Sequence, residues 1–257
     1  MTVDTIELPH ESLQPGPETP PVAPAPWGFW GTLGWGALAA ATGFVATVAV
    51  VMVWMLSHGM TLPDTKDAAF LSAASIVATL APLVVLAIAV KVRKWRLRDY
   101  FALTTVRRRD VVLGLGCLIA LIILFEALAV LLAVDNGTQY TEETYRAARL
   151  SGMLPALWLG VVVIAPLGEE LLFRGFLHRG WAASWLGATG TILLTSFLWA
   201  MLHQQYNWFS IFLIFCLGLL FGWLRQRSAT TTLTIMLHAF NNFFTMIFVT
   251  VKLEWMS

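Results

Sequence analysis

Charge is what this sequence has least of: Asp, Glu, Lys and Arg together make up 12% of its 257 residues, against 58% apolar. A soluble domain is roughly a quarter charged and about half apolar, so this composition excludes an ordinary water-solvated globule and points to lipid as the solvent. The mean hydropathy of +0.74 agrees. Cysteine is scarce too. Cys117 and Cys216 are the only two, both lie inside apolar runs, and neither has ligand-like spacing. They read as packing residues rather than a disulfide or a metal cage. With a net charge of +1 there is no basic excess to suggest a nucleic-acid partner. The first 26 residues lack Lys and Arg altogether and hold seven prolines with Asp4, Glu7, Glu11 and Glu18. Residues 1–26 therefore read as a disordered acidic, proline-rich tail, and without a basic start they do not resemble a secretory signal peptide. No internal repeat is visible.

What is present is a series of long apolar runs. A crossing takes about 20 apolar residues, because the hydrocarbon core is roughly 30 Å thick. Residues 27–257 therefore predict an all-α, polytopic transmembrane bundle of about seven or eight helices. Spans are expected near 34–56, 69–91, 111–134, 153–175, 187–204, 208–224 and 231–251. Trp27, Trp30 and Trp35 mark an interfacial entry. Eight of the 16 basic residues fall between Lys91 and Arg109, a bias that keeps a segment on the cytoplasmic side. The N-terminus is then cytoplasmic as well, and 135–150 reads as an external loop. Residues 176–186, with His178, Arg179, Trp181 and Trp185, read as an amphipathic stretch along the inner interface, possible as a separate helix.

An ionisable side chain inside hydrocarbon is costly, so each one needs a partner or a function. Four places stand out. In APLGEELLFRGFLHR, Glu170 and Arg174 are four residues apart on one helical face, which suits a bidentate ion pair. Glu169 points about 100° away. One carboxylate is thus neutralised while the other stays available as a general base for water. The plainer reading is a helix-end salt bridge, but a bridge needs one glutamate, not two. The second place is His203 in TSFLWAMLHQQ. The third is HAFNN, where His238 and Asn242 share a face, with Asn241 beside them. A lone intramembrane histidine is often only a helix–helix contact. Two histidines, an asparagine and a Glu–Glu–Arg cluster on three spans ask for more. The fourth is Glu126 in LIILFEALAVLL, which has no partner in sequence and reads either as an unpaired, protonated carboxyl or as a partner to one of the histidines.

Together these clusters resemble the CAAX-protease and bacteriocin-processing family of intramembrane endopeptidases, which includes the eukaryotic type II CAAX prenyl endopeptidase. The family's Glu-Glu-x-x-x-Arg is matched by Glu169, Glu170 and Arg174. Its Phe-x-x-x-His is matched at His203, with Trp199 standing in place of Phe. Its His-x-x-x-Asn/Asp is matched by His238 and Asn242. The resemblance covers roughly residues 153–251. It implies an intramembrane protease in which Glu169 and His203 activate water, His238 and Asn242 stabilise the oxyanion, and Glu170 and Arg174 support them. The substrate would be a protein or peptide in or at the membrane.

The cofactor stays open at this point. A zinc ion on Glu169, His203 and His238 and a metal-free glutamate mechanism both fit, although the His-Glu-x-x-His signature is missing. The implied location is a bacterial inner membrane. Two rival functions remain: a non-catalytic, immunity-type scaffold of the same fold, and a proton-linked transporter. The transporter would predict a duplicated half with paired broken helices. The sequence has no such duplication, although Pro155 and Pro166 interrupt the fourth span.

Overall fold

The computed structural model describes residues 24–63 and 68–256. All but the last three residues of the expected acidic tail lie outside that range. Among the described residues there is no strand. The helices are α1 (Phe29–Ser57), α2 (Ala68–Val92), α3 (Leu97–Tyr100), α4 (Arg108–Leu132), α5 (Gln139–Leu150), α6 (Leu154–Ala182), α7 (Gly187–Met201), α8 (Trp208–Ser228) and α9 (Thr231–Trp255). Six of them, α1, α2, α4, α6, α8 and α9, are long and apolar enough to cross a bilayer; α7, at 15 residues, is shorter. The chain is an integral, multi-pass helical membrane protein. Its seven apolar helices fall where the apolar runs placed them, to within several residues. Large apolar side chains such as Phe44 and Val130 stay exposed on the outer surface, which in lipid carries no penalty.

Two expectations need correction. Residues 135–150 are not a plain loop, because most of the segment is α5. Its sequence is too polar to show in hydropathy, and its stability comes from docking. Tyr145 and Ala148, three residues apart, form its buried face against α9 and α6. Tyr145 Oη donates to Glu254 Oε1 at 3.2 Å, Arg149 reaches Glu254 at 2.6 Å, and Lys252 Nζ reaches Glu142 Oε1 at 2.5 Å. The second correction concerns 176–186. This stretch is not a separate interfacial helix, since α6 continues through Ala182. Two of its polar side chains bond to neighbouring segments of the bundle. Arg179 donates to the carbonyls of Tyr100 (3.0 Å) and Asp99 (2.5 Å), and Trp181 Nε1 donates to Phe29 O at 3.2 Å. Trp185 is 74% exposed.

Helix α6 is the centre of the bundle, touching α1, α2, α5, α7, α8 and α9. Helices α7 and α8 form a tight antiparallel pair. A Cβ on Gly218 would stand 2.8 Å from Ser196 Cβ, so glycine is what lets the two backbones approach. Caps set where the last two helices begin. Asn207 accepts from Ser210 N at 2.9 Å, and Thr230 Oγ1 accepts from Thr232 N at 3.2 Å.

Candidate active site

Glu169 and Glu170 sit between two widened turns of α6, Gly160–Ile164 and Leu171–Leu177, in which each backbone rung spans five residues. The first widened turn has a local cause and a consequence. Ala165 N–H bonds Gly160 O across five residues. The next rung would join residue 166 to Val161 O, but residue 166 is proline and has no N–H. Asn242, from α9, supplies the donor: its Nδ2 reaches Val161 O at 2.9 Å.

Glu170 is fully buried and accepts at Oε1 from Arg174 Nη1 (2.9 Å) and from His238 Nδ1 (3.1 Å). The ion pair with Arg174 is the one the four-residue spacing required. The link to His238 was not foreseen, because those residues are 68 apart. Arg174 Nη2 donates to Gly218 O at 3.2 Å, and its guanidinium lies 4.5 Å from the Trp199 ring centroid and 5.6 Å from that of Phe221. A buried arginine thus has a carboxylate, a carbonyl and two aromatic faces, which offsets its desolvation.

Glu169 is half-buried and turned the other way. Its Oε2 accepts from Trp199 Nε1 at 2.5 Å, and its Oε1 takes no hydrogen bond from the described residues. The Trp199 ring also lies 5.4 Å from the His203 imidazole and 5.3 Å from that of His238, edge-on to both. His203 lies just past the end of α7, and its Nδ1 meets Trp199 O at 2.9 Å. A carbonyl only accepts, so Nδ1 carries the hydrogen and Nε2 keeps the lone pair. The contacts of the Trp199 ring bring Glu169, His203 and His238 to one level of the bundle. Tyr206 stacks on His203 at 6.2 Å and bonds Thr141 of α5 at 3.4 Å. Burial pushes its hydroxyl above the ordinary tyrosine range, so it stays a neutral donor.

The fold therefore brings Glu169, Glu170, Arg174, His203 and His238 around one indole ring. Asn242 is one helical turn along and occupied by Val161. Glu126 is elsewhere: it is exposed on α4 and accepts only a long bond, 3.4 Å, from Asn136 Nδ2, so the expected pairing with a histidine is corrected. Among the described residues, no three His, Cys, Asp or Glu side chains stand together as a metal-ligand set. The carboxylate that meets His238 is Glu170, not Glu169, and an indole stands beside Glu169. These residues do not form the cage that a zinc ion on Glu169, His203 and His238 would need.

Residues 151–244 match the family model of the Rce1-like, type II CAAX prenyl endopeptidases. That segment is similar to the CAAX-protease family. It runs from just before α6 to the middle of α9 and holds every residue of the cluster. A 24.3 kDa protein of Escherichia coli, described as uncharacterized, is 38% identical over 86 residues. That match spans 31% of this chain and 38% of the relative. No solved structure matches. Two members of this cluster went unread in the sequence: the indole N–H of Trp199 and the stacked Tyr206. The first did have a signal, the Trp standing where the family pattern has Phe.

Proposed function

We propose that this chain is an intramembrane endopeptidase that hydrolyses a peptide bond of a membrane-associated protein or peptide. The observation that carries the reading is the Trp199-centred cluster: Glu169 Oε1 is open, and the His203 tautomer leaves Nε2 as an acceptor. His203 is taken as neutral and His238 as an imidazolium, since His238 donates through Nδ1 to Glu170 and is to donate through Nε2 to the substrate.

In this reading a water between Glu169 Oε1 and His203 Nε2 gives up a proton to that pair. Its oxygen bonds to the scissile carbonyl carbon while the C=O π electrons move onto the carbonyl oxygen. His238, backed through Nδ1 by Glu170, holds a proton on Nε2 and donates it as a hydrogen bond to that oxyanion. Such a donor is worth about 2.7–4 kcal/mol in the transition state. Asn242 joins as a second donor only by releasing Val161 O. As the intermediate collapses, the C–N bond breaks and the captured proton passes to the leaving amine. No step runs through a metal.

One observation favours the rival reading, a non-catalytic scaffold of the same fold: Glu169 Oε2 is bonded to an indole rather than to either histidine. The test serves both readings. Membrane proteomes of cells carrying wild type and Glu169→Gln are compared for fragments that vanish. Loss of the general base should slow their formation by roughly 10²–10⁴-fold with folding intact. Identical fragment sets would leave only the scaffold.

A further inference from the structure

We propose that Trp199 is a positioning residue of this site, an inference that rests on the protease reading. Its indole N–H holds Glu169 by Oε2 so that Oε1 is presented to water, and its carbonyl fixes His203 with Nε2 unprotonated. One residue of α7 thereby sets both halves of the water-activating pair.

The geometry argues for more than packing. Indole is a donor only, with a single N–H, and here that hydrogen goes to a carboxylate at 2.5 Å. Without it, Glu169 would take no hydrogen bond from the described residues at either oxygen, and its carboxylate would rotate freely at the edge of an apolar interior. The donor is itself immobile. The ring is 2% exposed and wedged between the Arg174 guanidinium at 4.5 Å, the Phe221 ring at 6.1 Å and the two imidazole edges. The same residue reaches His203 through its main chain, where Nδ1 meets Trp199 O at 2.9 Å. Phenylalanine, which the resemblance places at this position, would keep that carbonyl and a smaller aromatic ring, but it has no N–H to give. Trp199→Phe therefore removes the donor with the least change of packing.

Two measurements test this. In the full-length protein, with tryptophan labelled at the indole nitrogen and held in nanodiscs, the N–H signal bonded to a carboxylate should stand apart from the others and move in Glu169→Gln. That comparison needs no Trp199 variant. If no indole signal responds to Glu169→Gln, the contact is wrong and the proposal falls. The second measurement uses a peptide spanning a cleavage junction that the proteome comparison identifies as Glu169-dependent. Hydrogen bonds to charged groups are typically worth a factor of roughly ten to a hundred. Trp199→Phe should lose about that much in kcat with KM unchanged; a packing role alone would lower thermal stability and leave kcat at the wild-type value. A wild-type kcat in Trp199→Phe would overturn the positioning role and leave the protease reading standing. If no Glu169-dependent cleavage exists, the protease reading falls and the positioning role with it, while the indole signal still reports separately on the contact.

Discussion

At Asn242 two demands meet. The sequence pattern marks it for the oxyanion, but its amide is the donor that replaces the rung lost at Pro166. We expect Asn242→Ala to cost about 1–3 kcal/mol, because Val161 O would be left without a donor away from water. Chemical unfolding in detergent micelles measures this. Unchanged stability with kcat down 10²–10³-fold would instead assign it to the oxyanion. At this scale, the sequence made legible whatever lies within one turn of helix. Glu170 pairs with Arg174, and Glu169 faces away, because 3.6 residues per turn leaves no alternative. The partner of His238 was not legible, because it depends on how α9 is rotated against α6.

Among the elements, α5 is held to the end of α9 by polar contacts as well as by the apolar cluster of Tyr145, Met246, Val249 and Leu253, so part of its hold should respond to pH. The ammonium of Lys252 beside Glu142, followed by the Thr138 hydroxyl, holds that carboxyl below the ordinary glutamate range. A carboxyl lowered on folding contributes stability above its unfolded pKa and loses it as pH falls through the folded value. Amide protection factors over residues 139–150 should therefore fall as the pH drops below the ordinary glutamate range, ahead of those in α6. Lys252→Gln should reproduce the loosening at neutral pH. Equal protection of α5 in both proteins would show that the clamp is not what holds it. The widened turns of α6 belong to this scale too. Pro166 announces an interruption, but the placing of two five-residue rungs around the glutamates follows from packing on six neighbouring helices.

Across the whole molecule the chain alternates between two ends, and contacts within each end agree with that path. At one end Thr231 N bonds Ala102 O at 2.9 Å, and Arg179 holds Tyr100, whose hydroxyl is pushed up to about 12 by burial. Arg93 lies 4.5 Å from the Trp27 ring in an aromatic and basic belt. At the other end Asn207 Nδ2 donates to Asp135 O at 3.0 Å, and α5 closes over α9. We propose that the basic end is cytoplasmic, with the N-terminus, and that the membrane is a bacterial inner membrane. In a background lacking Cys117 and Cys216, an impermeant maleimide on intact cells should label Glu143→Cys and spare Arg96→Cys. The reverse pattern would invert the topology. The sequence alone determined the solvent, the number and order of the spans, and the ion pair inside one helix, because composition and helical pitch are local properties. Only the tertiary structure decided that α5 exists, that His238 answers to Glu170, and that an indole rather than an imidazole holds Glu169. Those depend on the rotation and tilt of helices far apart in the chain, which are fixed by side chains packing against one another and not by any spacing along it.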